Sequence, residues 1–221
     1  MRPLLLDLFC GAGGAAVGYH RAGFDVVGVD LENQPNYPFR FIQADALEVL
    51  FDARRMGITV VHASPPCQSF TAYRRRGNGV GERYPNLIPQ VRDMATGLRL
   101  PYVIENVPGA PLVDSITLCG SMFGLDVRRH RLFESNVPLT APPCDHWVWT
   151  ERKYPQATNR VNRRFTCEVG VYRIPLETQK RAMGVDWNVT LHELSEAIPP
   201  AYTEFIGAQL MQHVTAEKRI A

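Results

Sequence analysis

The sequence predicts an α/β fold, with a mostly parallel, doubly wound sheet. Short apolar segments that end at polar, glycine or proline residues predict buried strands, and segments of helical character fall between them. Strands that alternate with helices build parallel sheets, and ligands bind at the carboxyl ends of those strands. The predicted strands are 4–9, 26–29, 60–63 and 102–104, and the predicted helices lie in 13–22, 83–100 and 203–214.

Composition limits the class of protein before any motif is considered. The chain has 221 residues, of which 45% are hydrophobic and 21% charged, so it suits one globular domain rather than a disordered or collagen-like chain. Its net charge of +2 does not by itself indicate nucleic-acid binding. No apolar run approaches the ~20 residues of a membrane span, and the leucines at 4–6 are too few for a signal peptide. Five cysteines without a CxxC pair indicate reduced thiols and a cytoplasmic protein.

The first motif is the segment Asp7-Leu8-Phe9-Cys10-Gly11-Ala12-Gly13-Gly14. A strand enters a glycine turn and a helix follows, which favours close approach of a ligand to the backbone. Asp30 closes the second strand, where a carboxylate can accept ribose hydroxyls, and Asp45 ends a possible third strand, near an adenine edge. The pattern suits any adenosine-bearing cofactor, including NAD; a glycine turn used only for packing is the alternative.

The second motif is the segment Ser64-Pro65-Pro66-Cys67-Gln68-Ser69-Phe70-Thr71 at the end of a strand. Two prolines stiffen the approach to Cys67 and so aim its side chain. The alternative is a buried structural cysteine.

Two further motifs bring charge to the same sheet edge. Glu105 follows the strand 102–104, where burial raises the pKa of a carboxyl and suits it to donate a proton; capping of the next segment is the alternative. Arg129 and Arg131 alternate along a strand and so point together, able to hold a carboxylate, a base oxygen or a phosphate. A solvated edge strand is the alternative for this pair.

The chain divides into a core of residues 1–135, a small insertion at 136–174 and a closing segment at 175–221. The insertion is rich in Pro, Trp, Arg and Asn and has no clear period, which predicts loops or a very small subdomain. Its aromatic and basic residues suit a nucleic-acid contact, or else tryptophans packed on the core. These residues are Trp147, Trp149, Arg152, Lys153, Arg160, Arg163 and Arg164. Cys144, His146 and Cys167 are poorly spaced for zinc, so no metal site is predicted.

Taken in this order, the motifs resemble those of the DNA (cytosine-5) methyltransferase family over almost the whole chain. The glycine turn resembles the cofactor motif, Pro65-Pro66-Cys67-Gln68-Ser69 the nucleophile motif, and Glu105-Asn106-Val107 the acid motif. Arg129-x-Arg131 resembles the paired-arginine motif, and Arg181-Ala182-Met183-Gly184-Val185 resembles the late structural motif. Ile198-Pro199-Pro200-Ala201-Tyr202 resembles the closing cofactor motif.

The resemblance implies a Rossmann-like, S-adenosylmethionine-dependent methyltransferase fold with a minimal recognition insertion. It also implies covalent catalysis, in which the Cys67 thiolate adds to C6 of a flipped-out cytosine so that C5 accepts the methyl group. Glu105 would supply or share a proton at ring N3, and Arg129 and Arg131 would hold the base.

The resemblance assigns further residues to the cofactor and to the nucleic acid. The implied cofactor residues are Asp7, Phe9, Cys10, Gly11, Gly13, Gly14, Asp30, Leu31, Asp45, Ala46, Pro66 and Ala197. The implied nucleic-acid contacts are Gln68, Ser69, Arg74, Arg75, Arg76, Arg163 and Arg164. The glycine- and arginine-rich segment 68–83 is expected to close as a lid over the substrate.

Two positions depart from the family pattern: Val127 stands where glutamine is usual, and Ser195-Glu196-Ala197 where Gly-Asn precedes a small residue. The small insertion predicts a short recognition sequence, or help from a partner subunit or a homodimer. Three alternatives stay open: the same reaction on RNA, a catalytically silent nucleic-acid-binding homologue, and a nicotinamide oxidoreductase. The biological role, whether restriction, anti-restriction or regulation, is also open.

Overall fold

The computed structural model of the chain describes residues 2–68, 70, 85–144, 149–151 and 164–220. Its main sheet has seven strands in the order β3-β2-β1-β4-β5-β7-β6. The strands are β1 (Leu4–Leu8), β2 (Asp25–Asp30), β3 (Arg40–Gln43), β4 (Val60–Ala63), β5 (Tyr102–Asn106), β6 (Ile116–Leu118) and β7 (Arg131–Ser135). A separate two-stranded sheet pairs β8 (Trp149–Glu151) with β9 (Arg164–Thr166).

The helices are α1 (Gly14–Arg21), α2 (Ala46–Phe51), α3 (Ile88–Gly97), α4 (Leu176–Met183), α5 (Leu191–Glu196) and α6 (Pro200–Ile220). A 3₁₀ helix spans Gly120–Phe123. Within the described part of the chain, no helix combines the length and the apolarity that a membrane span requires.

Strand alternation places the two layers of helices on opposite faces of the sheet. Leu5 of β1 packs in one apolar cluster with Tyr19 of α1 and Ile206 of α6, whereas its neighbour Leu6 packs in another with residues of α2 and α3. Successive strand residues point to opposite faces, so a strand covered on both sides is apolar along its length. The doubly wound arrangement predicted from the sequence is therefore confirmed.

The strand order reverses beside β1, which pairs in parallel with both β2 and β4. Such a reversal opens a crevice at the carboxyl ends of the strands. β7 runs antiparallel to β5, so the first residues of β7 lie at this same edge. The edge therefore collects the ends of β1, β2, β4 and β5 together with the start of β7.

Three sequence-based interpretations need correction. Arg129 and Arg131 do not alternate along one strand, because β7 begins at Arg131 and Arg129 precedes it; β7 itself lies between β5 and β6, so it is not a solvated edge strand. Glu105 lies within β5 rather than after it, since hydrogen bonding to β7 extends the strand to Asn106. Asp45 does not end the third strand: β3 stops at Gln43, and Asp45 is the N-cap of α2.

The segment that contains β8 and β9 is anchored at both ends to one short stretch of the core, residues 126–130. Before it, Cys144 Sγ lies 3.4 Å from His130 Nε2. After it, the amide of Cys167 donates to the carbonyl of Asp126 over 2.5 Å. The insertion thus leaves the core and returns to it beside the start of β7.

Candidate active site at the carboxyl edge of the sheet

The glycine turn after β1 is tied to the end of β2. Asp30 accepts two backbone hydrogen bonds, from the amide of Gly11 at 3.0 Å and from that of Glu32 at 3.1 Å. Gly14 begins α1 in close contact with the closing segment, because a Cβ at that position would lie 2.5 Å from the carbonyl oxygen of Ile198. Only glycine allows this approach, which joins the turn to the segment around Ala197.

Asp7 is an acid buried in the middle of the sheet. Its Oδ2 accepts a hydrogen bond from the Tyr37 hydroxyl at 3.3 Å, while its Oδ1 has no partner among the residues that the structure describes. Burial, with the charges of Asp30 and Glu105 adding to it, raises the pKa of Asp7 well above its ordinary value, although the Tyr37 hydrogen bond opposes the shift. Buried polar atoms are rarely left unpaired, so Oδ1 is a candidate contact for a ligand.

Cys67 lies in the loop after β4 and is half-buried. Burial raises the pKa of its thiol; the positive charge of Arg131 opposes this rise, and the negative charges of Glu105 and Glu196 add to it. The thiol therefore needs a nearby cation, and a neutral Glu105, to ionise readily.

Glu105 and Arg131 form an ion pair across β5 and β7. Nε of Arg131 lies 3.1 Å from Oε1 of Glu105, and both side chains are largely buried. Burial raises the pKa of Glu105. The positive charges of Arg131 and Arg129 lower it, and so does a hydrogen bond from the Ser64 hydroxyl. The net rise makes Glu105 hold a proton at a higher pH than a surface glutamate does.

Arg129 connects the site to the closing segment. Its Nη2 donates to the carbonyl of Ser195, and the carbonyl of Arg129 accepts a hydrogen bond from the Tyr202 hydroxyl over 2.6 Å. Burial, with Arg131 beside it, lowers the pKa of Arg129 to about 9, so it stays cationic at neutral pH. Its Nε finds no acceptor in the described ranges. The four residues predicted as catalytic are thus near enough to influence one another's charge.

A buried chain of hydrogen bonds behind Glu105 was not predicted from the sequence. His62 on β4 joins the Tyr19 hydroxyl, 3.0 Å from Nδ1, to the Ser64 hydroxyl, 3.0 Å from Nε2, and Ser64 bonds to Glu105. Burial lowers the pKa of His62 to about 3, so its ring is neutral. The sequence signal is a polar histidine inside an apolar strand, two residues before Ser64.

The remaining predicted residues lie around this edge or outside the described part of the chain. Leu31 is 71% exposed beside Asp30, and Asp45 Oδ1 caps α2 by accepting from the amides of Leu47 and Glu48. Phe9 adopts a φ of 57°, and Cys10 is a buried thiol whose pKa burial raises. Five of the predicted nucleic-acid contacts lie outside the residues that the structure describes: Ser69, Arg74, Arg75, Arg76 and Arg163. For Arg164, only the backbone is described.

The two departures from the family pattern have distinct surroundings. Val127 is buried in an apolar cluster with Met183 and Leu194, where a valine packs without needing a hydrogen-bond partner. Glu196 ends α5 and lies 3.7 Å from His192, and its charge raises the pKa of Cys67. The second departure therefore bears on the ionisation of Cys67.

Comparisons with curated proteins find relatives among type II methyltransferases. The chain is 27% identical over 169 residues to the type II methyltransferase M.AgeI of Thalassovita gelatinovora, which covers 67% of this chain and 37% of that protein. It is 31% identical over 126 residues to M.AquIA of a Picosynechococcus species, covering 49% of this chain and 50% of that one. The chain thus spans between about a third and a half of the length of these relatives. No protein-family model matches the chain.

Solved methyltransferase structures share the fold. A structure of the Entamoeba histolytica methyltransferase EhMeth aligns with a TM-score of 0.61 at 13% identity, covering 98% of this chain and 99% of that one. The S. pombe Dnmt2 methyltransferase aligns with a TM-score of 0.58 at 14% identity, covering 96% and 99%. A putative DNA modification methyltransferase encoded within an E. coli prophage gives a TM-score of 0.60 at 14% identity. The chain therefore shares the fold of these solved methyltransferases.

Proposed function

We propose that this chain transfers a methyl group from S-adenosylmethionine to DNA, and that the acceptor is C5 of cytosine, activated by a covalent bond to Cys67. The observation that carries the proposal is the grouping of a thiol, a buried acid and two arginines at one sheet edge, with Arg131 3.1 Å from Glu105. Sequence relatives named as type II methyltransferases support the broader activity.

The residues around the glycine turn fit the proposed cofactor. Asp30 presents a carboxylate for ribose hydroxyls, and exposed Leu31 beside it offers an apolar surface to a flat adenine. The unpartnered Oδ1 of Asp7 lies in the strand that leads into the turn. From the resemblance to the cofactor motifs, Phe9, Cys10, Gly11, Gly13 and Gly14 are proposed to line the same site, together with Asp45, Ala46, Pro66 and Ala197. When bound, the cofactor supplies an electrophilic methyl group on a sulfonium.

The acid and the nucleophile help each other. Because the charge of Glu105 raises the pKa of Cys67, protonation of Glu105 favours the Cys67 thiolate, and Arg131 favours it as well. The thiolate then forms a bond to C6 of the cytosine, and the electron pair of the C5–C6 double bond moves toward C5 while protonated Glu105 donates to N3. After C5 is alkylated, a base such as water takes the C5 proton, and the electron pair of that C–H bond restores the C5–C6 double bond. Cys67 leaves C6 as the thiolate, and N3 returns its proton to Glu105.

Arginines hold the substrate during these steps. The Nε of Arg129, which lacks an acceptor in the described ranges, is available to a base oxygen, and Arg131 remains beside Glu105. A cytosine inside a duplex is out of reach of Cys67, so the base must be flipped out. Further contacts to DNA are proposed from the sequence for Gln68, Ser69, Arg74–Arg76, Arg163 and Arg164.

A product assay separates the proposal from its alternatives. The chain is incubated with labelled S-adenosylmethionine and duplex DNA or tRNA, and the products are digested and identified by mass spectrometry. We expect 5-methylcytosine in DNA. Label in N4-methylcytosine or N6-methyladenine would contradict the covalent route through Cys67. Label in RNA alone would show that the substrate is RNA and not DNA. The absence of label from both nucleic acids would favour a catalytically silent homologue.

A mechanism-based trap tests the covalent step. Duplex DNA containing 5-fluorocytosine should leave an adduct at Cys67 that survives denaturation, because fluorine cannot depart as a cation. Cys67→Ala should yield neither adduct nor product. Cys167→Ala, which removes another partly buried thiol, should retain both.

A further inference from the structure

Outside the residues predicted as catalytic, two thiols and an imidazole converge from separate parts of the chain. Sγ of Cys119, a ring nitrogen of His130 and Sγ of Cys144 all lie within 4.8 Å of one another. Cys119 follows β6, His130 precedes β7, and Cys144 lies at the entrance to the insertion. This set differs from the poorly spaced Cys144, His146 and Cys167 considered from the sequence: Cys167 is not part of it, and His146 is outside the described residues.

The distances suit a tetrahedral ion. Sulfur and nitrogen ligands of one zinc ion lie roughly 3.5–3.8 Å apart, since Zn–S bonds are about 2.3 Å and Zn–N bonds about 2.0–2.1 Å. Nε2 of His130 lies 3.4 Å from Sγ of Cys144, close to this separation. The pairing of β6 with β7, in which Leu118 faces Arg131, brings Cys119 and His130 together one step further on.

The surroundings give the two sulfurs a neighbouring hydroxyl and access to solvent. The hydroxyl of Ser121 donates to Cys119 Sγ over 3.3 Å, and its oxygen lies 3.9 Å from Cys144 Sγ. Cys119 is buried whereas Cys144 is exposed, which gives an ion both a fixed ligand and an entry path. Two thiolates and an imidazole are the donors that select zinc over hard cations.

We propose that Cys119, His130 and Cys144 bind a zinc ion that fastens the entrance of the insertion to the start of β7. Binding displaces one proton from each thiol and leaves the imidazole neutral, so two protons pass to solvent. His130 stands between Arg129 and Arg131, and the ion therefore fixes the backbone of the paired arginines. The proposal does not depend on methyl transfer.

Metal content and a cobalt spectrum test the proposal. The untagged chain is purified with zinc, dialysed, and analysed by mass spectrometry for metal. We expect one equivalent of zinc, and Co²⁺ in its place should give a thiolate-to-cobalt charge-transfer band. Cys144→Ser, chosen because Cys144 is exposed and the variant should fold, is expected to bind zinc at least about tenfold more weakly. Cys167→Ser is the matched control and should retain the ion.

A stability measurement adds a second readout. Chelation should lower the midpoint of thermal unfolding of the wild-type chain and of Cys167→Ser, but not that of Cys144→Ser. A wild-type chain without zinc, equal zinc in Cys144→Ser, or a disulfide between Cys119 and Cys144 in the freshly reduced and purified chain would each overturn the proposal.

Discussion

The imidazole Nε2 of His62 lies 3.0 Å from the hydroxyl of Ser64, so a neutral ring on β4 is joined to the acid of β5 through one serine. Tyr19 on α1 holds the other ring nitrogen. The ring cannot pick up a proton near neutral pH, since burial lowers its pKa to about 3. The His62 ring therefore orients the Ser64 hydroxyl and does not itself change protonation state near neutral pH.

Removing the serine hydroxyl should shift the pH dependence of activity. The Ser64 hydrogen bond lowers the pKa of Glu105, so Ser64→Ala should raise that pKa. If protonated Glu105 is the active form, the decline of kcat at high pH should move to higher pH. Ser64→Thr, which restores a hydroxyl, should return the profile toward wild type, and an unchanged profile in Ser64→Ala would contradict a positioning role for Ser64.

Two opposite charges near Cys67 predict opposite changes in its reactivity. Arg131 lowers the pKa of Cys67 and Glu196 raises it. At pH 8, Arg131→Gln should slow alkylation of Cys67 by iodoacetamide roughly three- to tenfold, because a unit of pKa is tenfold in thiolate. Glu196→Gln should speed it more modestly. Alkylation is followed at the Cys67 peptide by mass spectrometry, and exposed Arg55→Gln serves as the control, which should leave the rate unchanged.

Asp7 should make the fold less stable as the pH rises. Its folded pKa is raised, so its contribution is fully present below the unfolded value and is lost as pH climbs through the folded value. Asp7→Asn keeps an acceptor for Tyr37 but does not titrate. The stability of this variant relative to wild type, measured by urea unfolding, should therefore increase between pH 4 and pH 8. A constant difference, or a decreasing one, would argue against a neutral Asp7.

The ion pair between Glu134 and Arg92 predicts the opposite slope. Nε of Arg92 lies 2.5 Å from Oε1 of Glu134 and Nη2 lies 2.7 Å from Oε2, while the amide of Val113 donates to Oε2. Burial raises the pKa of Glu134, but these partners outweigh it and lower the pKa. Its stabilisation is present above the unfolded value and is lost as pH falls through the folded one.

Glu134→Gln should therefore lower the free energy of unfolding at pH 7 by about 2–3 kcal/mol, and by less near pH 3. Asp52→Asn, which alters an exposed pair with Arg55, is the control and should change stability little. A loss equal at both pH values would show that the effect of the substitution is not electrostatic.

Glycine at position 18 is required by the crossing of α1 and α6. A Cβ there would lie 2.1 Å from the Pro200 carbonyl oxygen and 2.1 Å from Oγ1 of Thr203. Gly18→Ala should destabilise the fold by about 2 kcal/mol or more in urea unfolding. A Cβ added at Gly97 in α3 would have no neighbouring atom within 4 Å among the described residues, so Gly97→Ala should be neutral or stabilising by up to about 1 kcal/mol. Equal effects of the two substitutions would contradict this explanation.

The predictable part of the fold is the part with local signals. Buried parallel strands such as β4 are continuous apolar runs, and the glycine turn and the Pro-Pro-Cys-Gln segment have fixed spacing in the sequence. β6 has three residues and gains its stability from pairing with β7, so no local pattern reveals it. The helix α5 has six residues and depends on its Thr190 cap and on packing of Leu194.

The sequence indicates the candidate site residues but not how they influence one another. Cys67 stands out because it follows an apolar segment, and Glu105 because it is an acid directly after apolar residues of a strand. Their mutual effect on pKa, the contact of Arg129 with Ser195 and the role of His62 all join positions far apart in sequence, which only the three-dimensional fold brings together.

Both ends of the segment between Cys144 and Cys167 contact the same short stretch of the core, from Asp126 to His130. A segment with neighbouring ends can change its length and its interior at little entropic cost, because the span to be closed stays the same. Such a segment is suited to exchange as a cassette. If the proposed function holds, we expect that replacing the segment between these two anchor points would change target preference while the seven-stranded sheet stays intact.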